Sequence, residues 1–265
     1  MSVFKLSVAA AASGVLMLTG LAQVADAAYI VGPDGFDVPP YTLNAAVGGQ
    51  QGWVEDALSI TSIKDTGNAS HGTAIYIDND NGGNKSRVHS FFPAHDQSQI
   101  LRVKFDVYGS GGGGYYFNMP VAAIGDYWGY GGIAASLEGM GYGGGAAANA
   151  FRLNGDSSLL VPGITSSPGV WYTVTVDLSY TDKTYDITIT DGTNTGTKTG
   201  VPFWSGAGAF SGLNDITFRT ADTPNNPYES GYFDNLSVEM VAVPEPASVA
   251  LLGMGLSALV LRRRR

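Results

Sequence analysis

Cysteine is absent from the 265-residue chain, and histidine occurs only three times. The lack of cysteine excludes disulfides, cysteine-ligated zinc, iron–sulfur clusters and thiol catalysis, so stability has to come from apolar burial. Charged residues make up only 14% of the chain, and 23 acidic side chains outnumber 14 basic ones. This excess of negative charge repels phosphate backbones, so we expect no nucleic acid partner.

The central part of the chain is more acidic than the whole. Residues 28–243 contain nine basic and 21 acidic side chains, a net charge of −12 against −9 for the full chain. The apolar content of the whole chain, 44%, is normal for a globular protein. A segment of this length suffices for one large all-β domain or two small ones.

Residues 1–27 have the organisation of a secretory signal peptide. Lys5 precedes an apolar stretch from Leu6 to Leu21, and Ala25-Asp26-Ala27 has the A-x-A form that signal peptidase accepts. The apolar stretch is short for a membrane anchor, and the cleavage motif follows it directly. We therefore expect an exported protein that meets signal peptidase during processing.

Residues 244–265 combine Pro244-Glu245-Pro246, an apolar run from Val249 to Leu261, and Arg262-Arg263-Arg264-Arg265. By the positive-inside rule, the arginines hold this end of a membrane segment on the cytoplasmic face. An ordinary tail anchor is the alternative. The three features in this order closely resemble the PEP-CTERM sorting signal of Gram-negative bacteria. The resemblance implies exosortase as a partner, with the three motif residues and four arginines as recognition residues, and a final place at the cell surface or in exopolysaccharide.

Alternation with a period of two dominates the segment between these ends, and helical periodicity is lacking. In Val170 to Tyr180, one set of alternate residues is apolar and the other is polar, as a half-buried strand requires. The pattern returns in Tyr185 to Thr190 after the polar Thr181-Asp182-Lys183, which predicts a hairpin. Further strands are predicted at Ala57–Ile63, Thr73–Ile77, Ser86–Phe92, Ile100–Tyr108, Ala147–Leu153, Asn214–Arg219 and Tyr232–Met240.

Many short strands separated by glycine and asparagine clusters predict an all-β fold, an antiparallel two-sheet β-sandwich or jelly roll. The order of Phe36, Tyr41-Thr42-Leu43, residues 48–53, Trp171-Tyr172 and residues 232–238 resembles the concanavalin A-like, LamG-type jelly rolls. That resemblance implies a sandwich whose first and last strands pair, used for sugar binding or adhesion. A galactose-binding-like sandwich fits the same features.

The segment 109–145 packs 14 glycines among several aromatic residues. It is either a long loop system over one face of the sandwich or contains strands with small residues where the sheets approach. Its aromatic rings could stack on the apolar face of a sugar while polar groups bind hydroxyls. The residues expected in such a glycan-binding platform are Tyr127, Trp128, Tyr130, Asp126 and Asn118, with buried packing as the alternative. Trp53 and Trp171, at strand starts, are expected to anchor the core.

Catalytic motifs are sparse. The central segment has four glutamates, none in an E-x-D-x-E arrangement, and Glu55-Asp56 would point to opposite faces of a strand. No G-x-S-x-G elbow accompanies the histidines, and Gly109 to Gly114 precede no helix that could cradle a phosphate. We expect no enzyme activity, with a polysaccharide lyase or glycoside hydrolase of jelly-roll fold as the alternative.

Calcium is the one cofactor that the residue types suggest, because Ca²⁺ takes oxygen ligands alone. Asp78 and Asp80 lie in a segment rich in such ligands, although the same residues are also typical of a tight hairpin turn between Ile77 and Arg87. Asp234 on the last strand resembles the residue with which some carbohydrate-binding jelly rolls hold Ca²⁺. The function that follows is a non-catalytic structural, adhesive or glycan-binding role.

Overall fold

A computed structural model describes the central part of the chain with several gaps. The described residues are 28–37, 40–55, 60–78, 86–91, 93, 95–109, 121–125, 133–139, 149–204, 215–219 and 230–241. The predicted signal peptide and the 244–265 segment lie outside these residues, and they stay predictions as far as the structure is concerned. Within the described part of the chain, no helix has the length and hydrophobicity needed to cross a membrane.

Every described regular element is a β-strand. In chain order the strands are β1 (Ala28–Asp34), β2 (Val54–Glu55), β3 (Ile60–Asp65), β4 (Thr73–Asp78), β5 (Arg87–Phe91), β6 (Ile100–Gly109), β7 (Val121–Gly125), β8 (Ile133–Gly139), β9 (Phe151–Leu153), β10 (Asp156–Leu160), β11 (Trp171–Ser179), β12 (Thr184–Thr190), β13 (Thr195–Pro202), β14 (Asp215–Arg219) and β15 (Gly231–Val241).

The strands form two sheets in which the described pairs are antiparallel. Sheet A has the order β13-β12-β11-β6-β15-β4-β3, and β1 pairs with the second half of β15. Sheet B has the order β10-β9-β8-β7-β14-β5-β2. The predicted all-β two-sheet sandwich is therefore confirmed, including the pairing of the first strand with the last.

The predicted hairpin is confirmed as β11 and β12, which pair without interruption from Thr173 opposite Thr190 to Ser179 opposite Thr184. Alternate β11 residues beginning with Tyr172 are buried, while their neighbours are half-buried. The connecting turn places Lys183 at a φ of 55°, in the left-handed region. Register is fixed here because a slip of one residue would turn the whole apolar set toward solvent.

Aromatic rings join the two sheets at the centre of the core. Phe218 of sheet B stacks on Phe233 of sheet A with centroids 3.9 Å apart and planes 12° apart. Trp53 stacks on Phe218 at 5.7 Å, and Phe105 meets it edge-on at 5.5 Å. All four side chains are buried, so the prediction that Trp53 anchors the core is correct.

The segment between Ile77 and Arg87 was expected to be a tight hairpin turn, and that expectation is wrong. Strand β4 lies in sheet A and β5 lies in sheet B, so the two do not pair and the segment leads from one sheet to the other. Polar turn residues occur both in hairpin turns and in connections between two sheets, because the chain changes direction in either case.

Part of the glycine-rich 109–145 segment is strand. β7 and β8 pair with each other inside sheet B, and their small residues Ala122, Ala134 and Ala135 are buried. The second of the two alternatives, strands with small residues, therefore holds for these ranges. Sequence pattern missed β7 and β8 because alanine and glycine have low strand propensity and give no apolar alternation.

Candidate functional site

Most of the residues expected in a site fall outside the described ranges. These are the proposed glycan platform of Asn118, Asp126, Tyr127, Trp128 and Tyr130, the calcium candidate Asp80, and the sorting residues Pro244, Glu245, Pro246 and Arg262 to Arg265. Their roles stay predictions. The described residues instead bring together a different aromatic and polar cluster on the outer face of sheet A.

A row of four aromatic side chains crosses four neighbouring strands of sheet A. Tyr76 on β4 is opposite Tyr232 on β15, which is opposite Tyr108 on β6, which in turn is opposite Trp171 on β11. We call these four residues the aromatic row. Because neighbouring strands lie about 4.8 Å apart, the row is about 14 Å long, measured perpendicular to the strands.

The rings of the aromatic row touch one another and are all half-buried. Successive centroids are 5.0 Å apart for Tyr76 and Tyr232, 5.9 Å for Tyr232 and Tyr108, and 5.2 Å for Tyr108 and Trp171. Their planes are tilted by 39° to 62°, which is a favourable geometry for aromatic pairs. The row therefore holds itself in place while presenting part of each ring to solvent.

The expectation that Trp171 anchors the core is wrong. Its neighbour Tyr172 takes the inward position on β11 and is 1% exposed, with its hydroxyl donating to the carbonyl of Thr165 at 2.9 Å. Successive residues of a strand point to opposite faces, so Trp171 is left on the outer face. The alternation of β11 contained this information, since Tyr172, Val174 and Val176 form its apolar set.

Two carboxylates lie directly opposite each other one row further along the same face. Asp106 on β6 pairs with Asp234 on β15, and both are buried. Thr173 Oγ1 donates to Asp106 Oδ1 at 2.6 Å, and Asn235 Nδ2 donates to Asp106 Oδ2 at 2.8 Å. These donors stabilise a buried charge that would otherwise be costly beside a second carboxylate.

A β-bulge supplies the asparagine of this cluster. The β15–β6 register shifts between Asp234 and Ser237, and Asn235 within that shift has a φ of 51°. Asparagine tolerates the left-handed region better than most residues, and bulges redirect side chains. The bulge thus lets two consecutive residues, Asp234 and Asn235, both contribute to the cluster on the outer face.

His71, from the connection between β3 and β4, joins the carboxylates to the aromatic row. Its Nδ1 lies 3.2 Å from Asp234 Oδ2 and 3.6 Å from Asp106 Oδ2, and its ring stacks on Trp171 at 3.7 Å with planes 10° apart. Burial lowers the pKa of His71, while the charge of Asp106 opposes that shift. We assign the Nδ1–H tautomer, which donates to Asp234 and leaves the ring face on the indole.

The described ranges contain no group of three or more His, Asp and Glu side chains that could hold a metal ion such as Ca²⁺. Asp234 Oδ2 faces the His71 imidazole. Asp78 lies beyond the Ile77–Gly231 pair, at the far end of the β4–β15 pairing from Asp234. Asp78 and Asp234 therefore lie apart, as two separate candidates, and calcium binding at either of them stays a prediction.

The other two histidines are also engaged. His89 Nδ1 on sheet B lies 3.5 Å from Asp215 Oδ2, both side chains being almost wholly buried, and His95 Nε2 is 2.9 Å from the Tyr180 hydroxyl. Burial lowers the pKa of His89, and the nearby charge of Arg87 lowers it further. Burial also lowers the pKa of His95, against the opposing effects of the Pro93 carbonyl and Asp96.

These shifts predict that the protein loses stability as the pH falls. All three histidines have a folded-state pKa below the unfolded value of 6.5, so below that value the unfolded chain takes up more protons than the folded one. We expect a lower melting temperature at pH 5 than at pH 7.5. Replacing His89 and His95 by glutamine should flatten this dependence between about pH 6.5 and 5. An equal slope in the variant would contradict the assignment.

The comparisons with known proteins agree with this fold. Residues 242–265 match the PEP-CTERM protein-sorting motif. No curated protein sequence matches the chain. A carbohydrate esterase from the Shiga toxin-encoding bacteriophage phi24B superposes with a TM-score of 0.53 at 11% identity, covering 82% of this chain and 100% of the esterase. At that identity the similarity concerns the fold alone.

Two further solved structures have lower scores. The catalytic domain of a glycoside hydrolase family 131 protein from Coprinopsis cinerea gives a TM-score of 0.48 at 12% identity, covering 80% of this chain and 93% of that domain. A seed lectin from Lotus tetragonolobus gives 0.46 at 9% identity, covering 76% and 97%. The chain is thus an exported protein in which an antiparallel two-sheet β-sandwich precedes a PEP-CTERM sorting motif of the kind that exosortase processes.

Proposed function

We propose that the β-sandwich is a non-catalytic glycan-binding domain that acts at the cell surface or in extracellular polysaccharide after exosortase processing. The observation that carries this proposal is the aromatic row on the outer face of sheet A. The four half-buried rings lie in register on neighbouring strands and form one contiguous apolar surface. Single apolar residues scattered over a protein surface do not form such a patch. Such a surface is suited to packing against the C–H faces of sugar rings.

The polar groups beside the row complete the proposed site. Sugar recognition needs a few fixed hydrogen-bonding groups around an apolar surface. Asp106 and Asp234 are held by Thr173, Asn235 and His71, so their positions are set before any ligand arrives. A pre-organised site loses less conformational entropy on binding than one whose side chains must be ordered by the ligand.

The engagement of the acidic groups supports a binding role over hydrolysis or elimination. Both oxygens of Asp106 accept hydrogen bonds from neighbouring side chains, one from Thr173 and one from Asn235. Glu55 accepts from the Gly48 amide at 3.0 Å and from the Thr61 hydroxyl, and so holds a turn against β3. The oxygens of both carboxylates are therefore already hydrogen-bonded within the protein.

The test is the replacement of Trp171 by alanine in the full chain, with binding measured by glycan array and affinity electrophoresis. We expect at least about a tenfold loss of affinity, equivalent to about 1.4 kcal/mol, because truncation removes the largest ring of the row. Phe91→Ala is the matched control, since this exposed ring lies on the outer face of sheet B. It should leave binding unchanged.

Two results would overturn the proposal. Equal glycan binding by the parent protein and the Trp171→Ala variant would place the site elsewhere. New reducing or unsaturated ends after incubation of the parent with a retained polysaccharide would show that the domain is a hydrolase or lyase. A His71→Gln variant then tests whether the imidazole that contacts Asp234 is the group responsible.

A further inference from the structure

An ammonium group already occupies one end of the aromatic row. Lys64 on β3 extends over the neighbouring strand, and its Nζ lies 3.6 Å from the centroid of the Tyr76 ring. A cation at this distance over a ring face is attracted by the ring's quadrupole. The chain's own side chain therefore shows which chemical group the face of a ring in this row accepts.

Carboxylates surround the same row. Asp106 and Asp234 lie two residues along their strands from Tyr108 and Tyr232, and Asp78 lies two residues beyond Tyr76 on β4. The charge of Asp78 contributes to a raised pKa of Tyr76, after burial as the larger cause. A negative potential over an apolar surface favours a ligand that carries positive charge.

We propose that the aromatic row binds a linear polysaccharide of amino sugars whose amines are protonated. This inference rests on the proposed function, since it assigns a ligand class to the same site. A sugar ring would pack on the solvent-exposed parts of the rings, and the negative potential of the nearby carboxylates would attract its ammonium group. The row crosses four strands, so its length suits several consecutive sugar units of an extended chain rather than a single terminal sugar.

The net charge of residues 28–243 also favours a positively charged ligand. With a net charge of −12 over residues 28–243, the protein attracts polycations and repels uronate-rich or sulfated chains. Such long-range attraction weakens as salt is added, whereas ring stacking does not. The two contributions are therefore separable by measuring affinity over a range of salt concentrations.

The experiment compares two probes that differ in their charge. Hexamers of β-1,4-linked glucosamine and of β-1,4-linked N-acetylglucosamine are titrated into the full chain at a mildly acidic pH, where the free amines are protonated. We expect the glucosamine hexamer to bind at least about tenfold more tightly, and the ratio to shrink as salt rises. Trp171→Ala should abolish the preference.

Lys64→Gln supplies a second variant that changes charge outside the polar cluster. It removes the ammonium from the Tyr76 ring and makes the row more negative, so affinity for the glucosamine hexamer should rise about two- to threefold. Affinity for the acetylated hexamer should change less. A structural role of Lys64 would not produce this difference between the two probes.

The outcomes separate this inference from the proposed function. Equal binding of both hexamers, lost in Trp171→Ala, would overturn the amino-sugar assignment and leave glycan binding at the row intact. A preference that persists in Trp171→Ala would show non-specific attraction of a polycation and would also overturn the assignment. If neither hexamer binds, the assignment is wrong, and the glycan array decides the proposed function separately.

Discussion

Phe218→Ala is expected to lower the free energy of unfolding by about 3–5 kcal/mol, the cost of removing a fully buried phenylalanine and leaving a cavity. Phe218 on β14 is 0% exposed and stacks on Phe233 of the opposite sheet at 3.9 Å. It also touches Trp53 and Phe105, so three rings in all lose contact with it. Those rings come from three separate strands or loops and cannot all move inward to fill the space.

Urea denaturation followed by intrinsic fluorescence measures this loss. Phe91→Ala on the neighbouring strand β5 is the matched control, because Phe91 is 48% exposed and the same truncation there should change stability by no more than about 0.5 kcal/mol. The comparison separates the effect of burial from that of deleting a ring. A loss below about 1 kcal/mol for Phe218→Ala would mean that the sheets are not joined by this stack.

Asn154→Ala is expected to cost about 2–4 kcal/mol, because it removes three hydrogen bonds from a buried position. Asn154 Oδ1 accepts from the Tyr185 hydroxyl at 3.0 Å and from the Ser136 amide at 3.3 Å, and Nδ2 donates to the Pro202 carbonyl at 3.0 Å. Tyr185 and Pro202 belong to sheet A, whereas Ser136 belongs to sheet B. One amide side chain therefore connects the two sheets at their edge.

Two companion variants divide this cost into its causes. Asn154 has a φ of 52°, which glycine adopts freely and alanine does not, so Asn154→Gly should be less destabilising than Asn154→Ala by about 1 kcal/mol. Tyr185→Phe removes only the hydroxyl, whose pKa burial raises, and should cost about 1 kcal/mol. The double variant Asn154→Ala with Tyr185→Phe should cost less than the sum, and strict additivity would contradict the shared hydrogen bond.

The sorting motif and the proposed site lie in different parts of the chain. The motif covers residues 242–265, immediately after β15 ends at Val241. The aromatic row draws one of its rings, Tyr232, from β15 itself. In the proposed function the motif determines where the protein is delivered, and the row determines what it holds there. Binding and delivery are therefore open to separate substitution.

The proposed site was missed by sequence analysis for a specific reason. In the sequence, aromatic residues cluster in the glycine-rich 109–145 segment, and this clustering favoured that segment as the binding platform. The residues of the row are separated by 32, 63 and 61 positions in the chain, from Tyr76 through Tyr108 and Trp171 to Tyr232. The available signal was the strand alternation, which places each of the four on the polar side of its strand.

The sequence by itself determined the properties that depend on neighbouring residues. The alternation of apolar and polar residues specified the β11–β12 hairpin, because the apolar residues of each strand must face the core. The excess of acidic residues specified a negative electrostatic potential around the protein. The sorting motif was also readable, since its three features follow one another directly. Each of these signals is local, so no knowledge of the fold was needed.

Only the tertiary structure decided which strands became neighbours. Pairing β15 with both β4 and β6 brought Tyr232 between two other tyrosines and set Asp234 opposite Asp106. The same arrangement placed β4 and β5 in different sheets, where turn chemistry had suggested a hairpin. Contacts between strands far apart in sequence depend on how all apolar faces are buried together, and no local pattern encodes that joint solution.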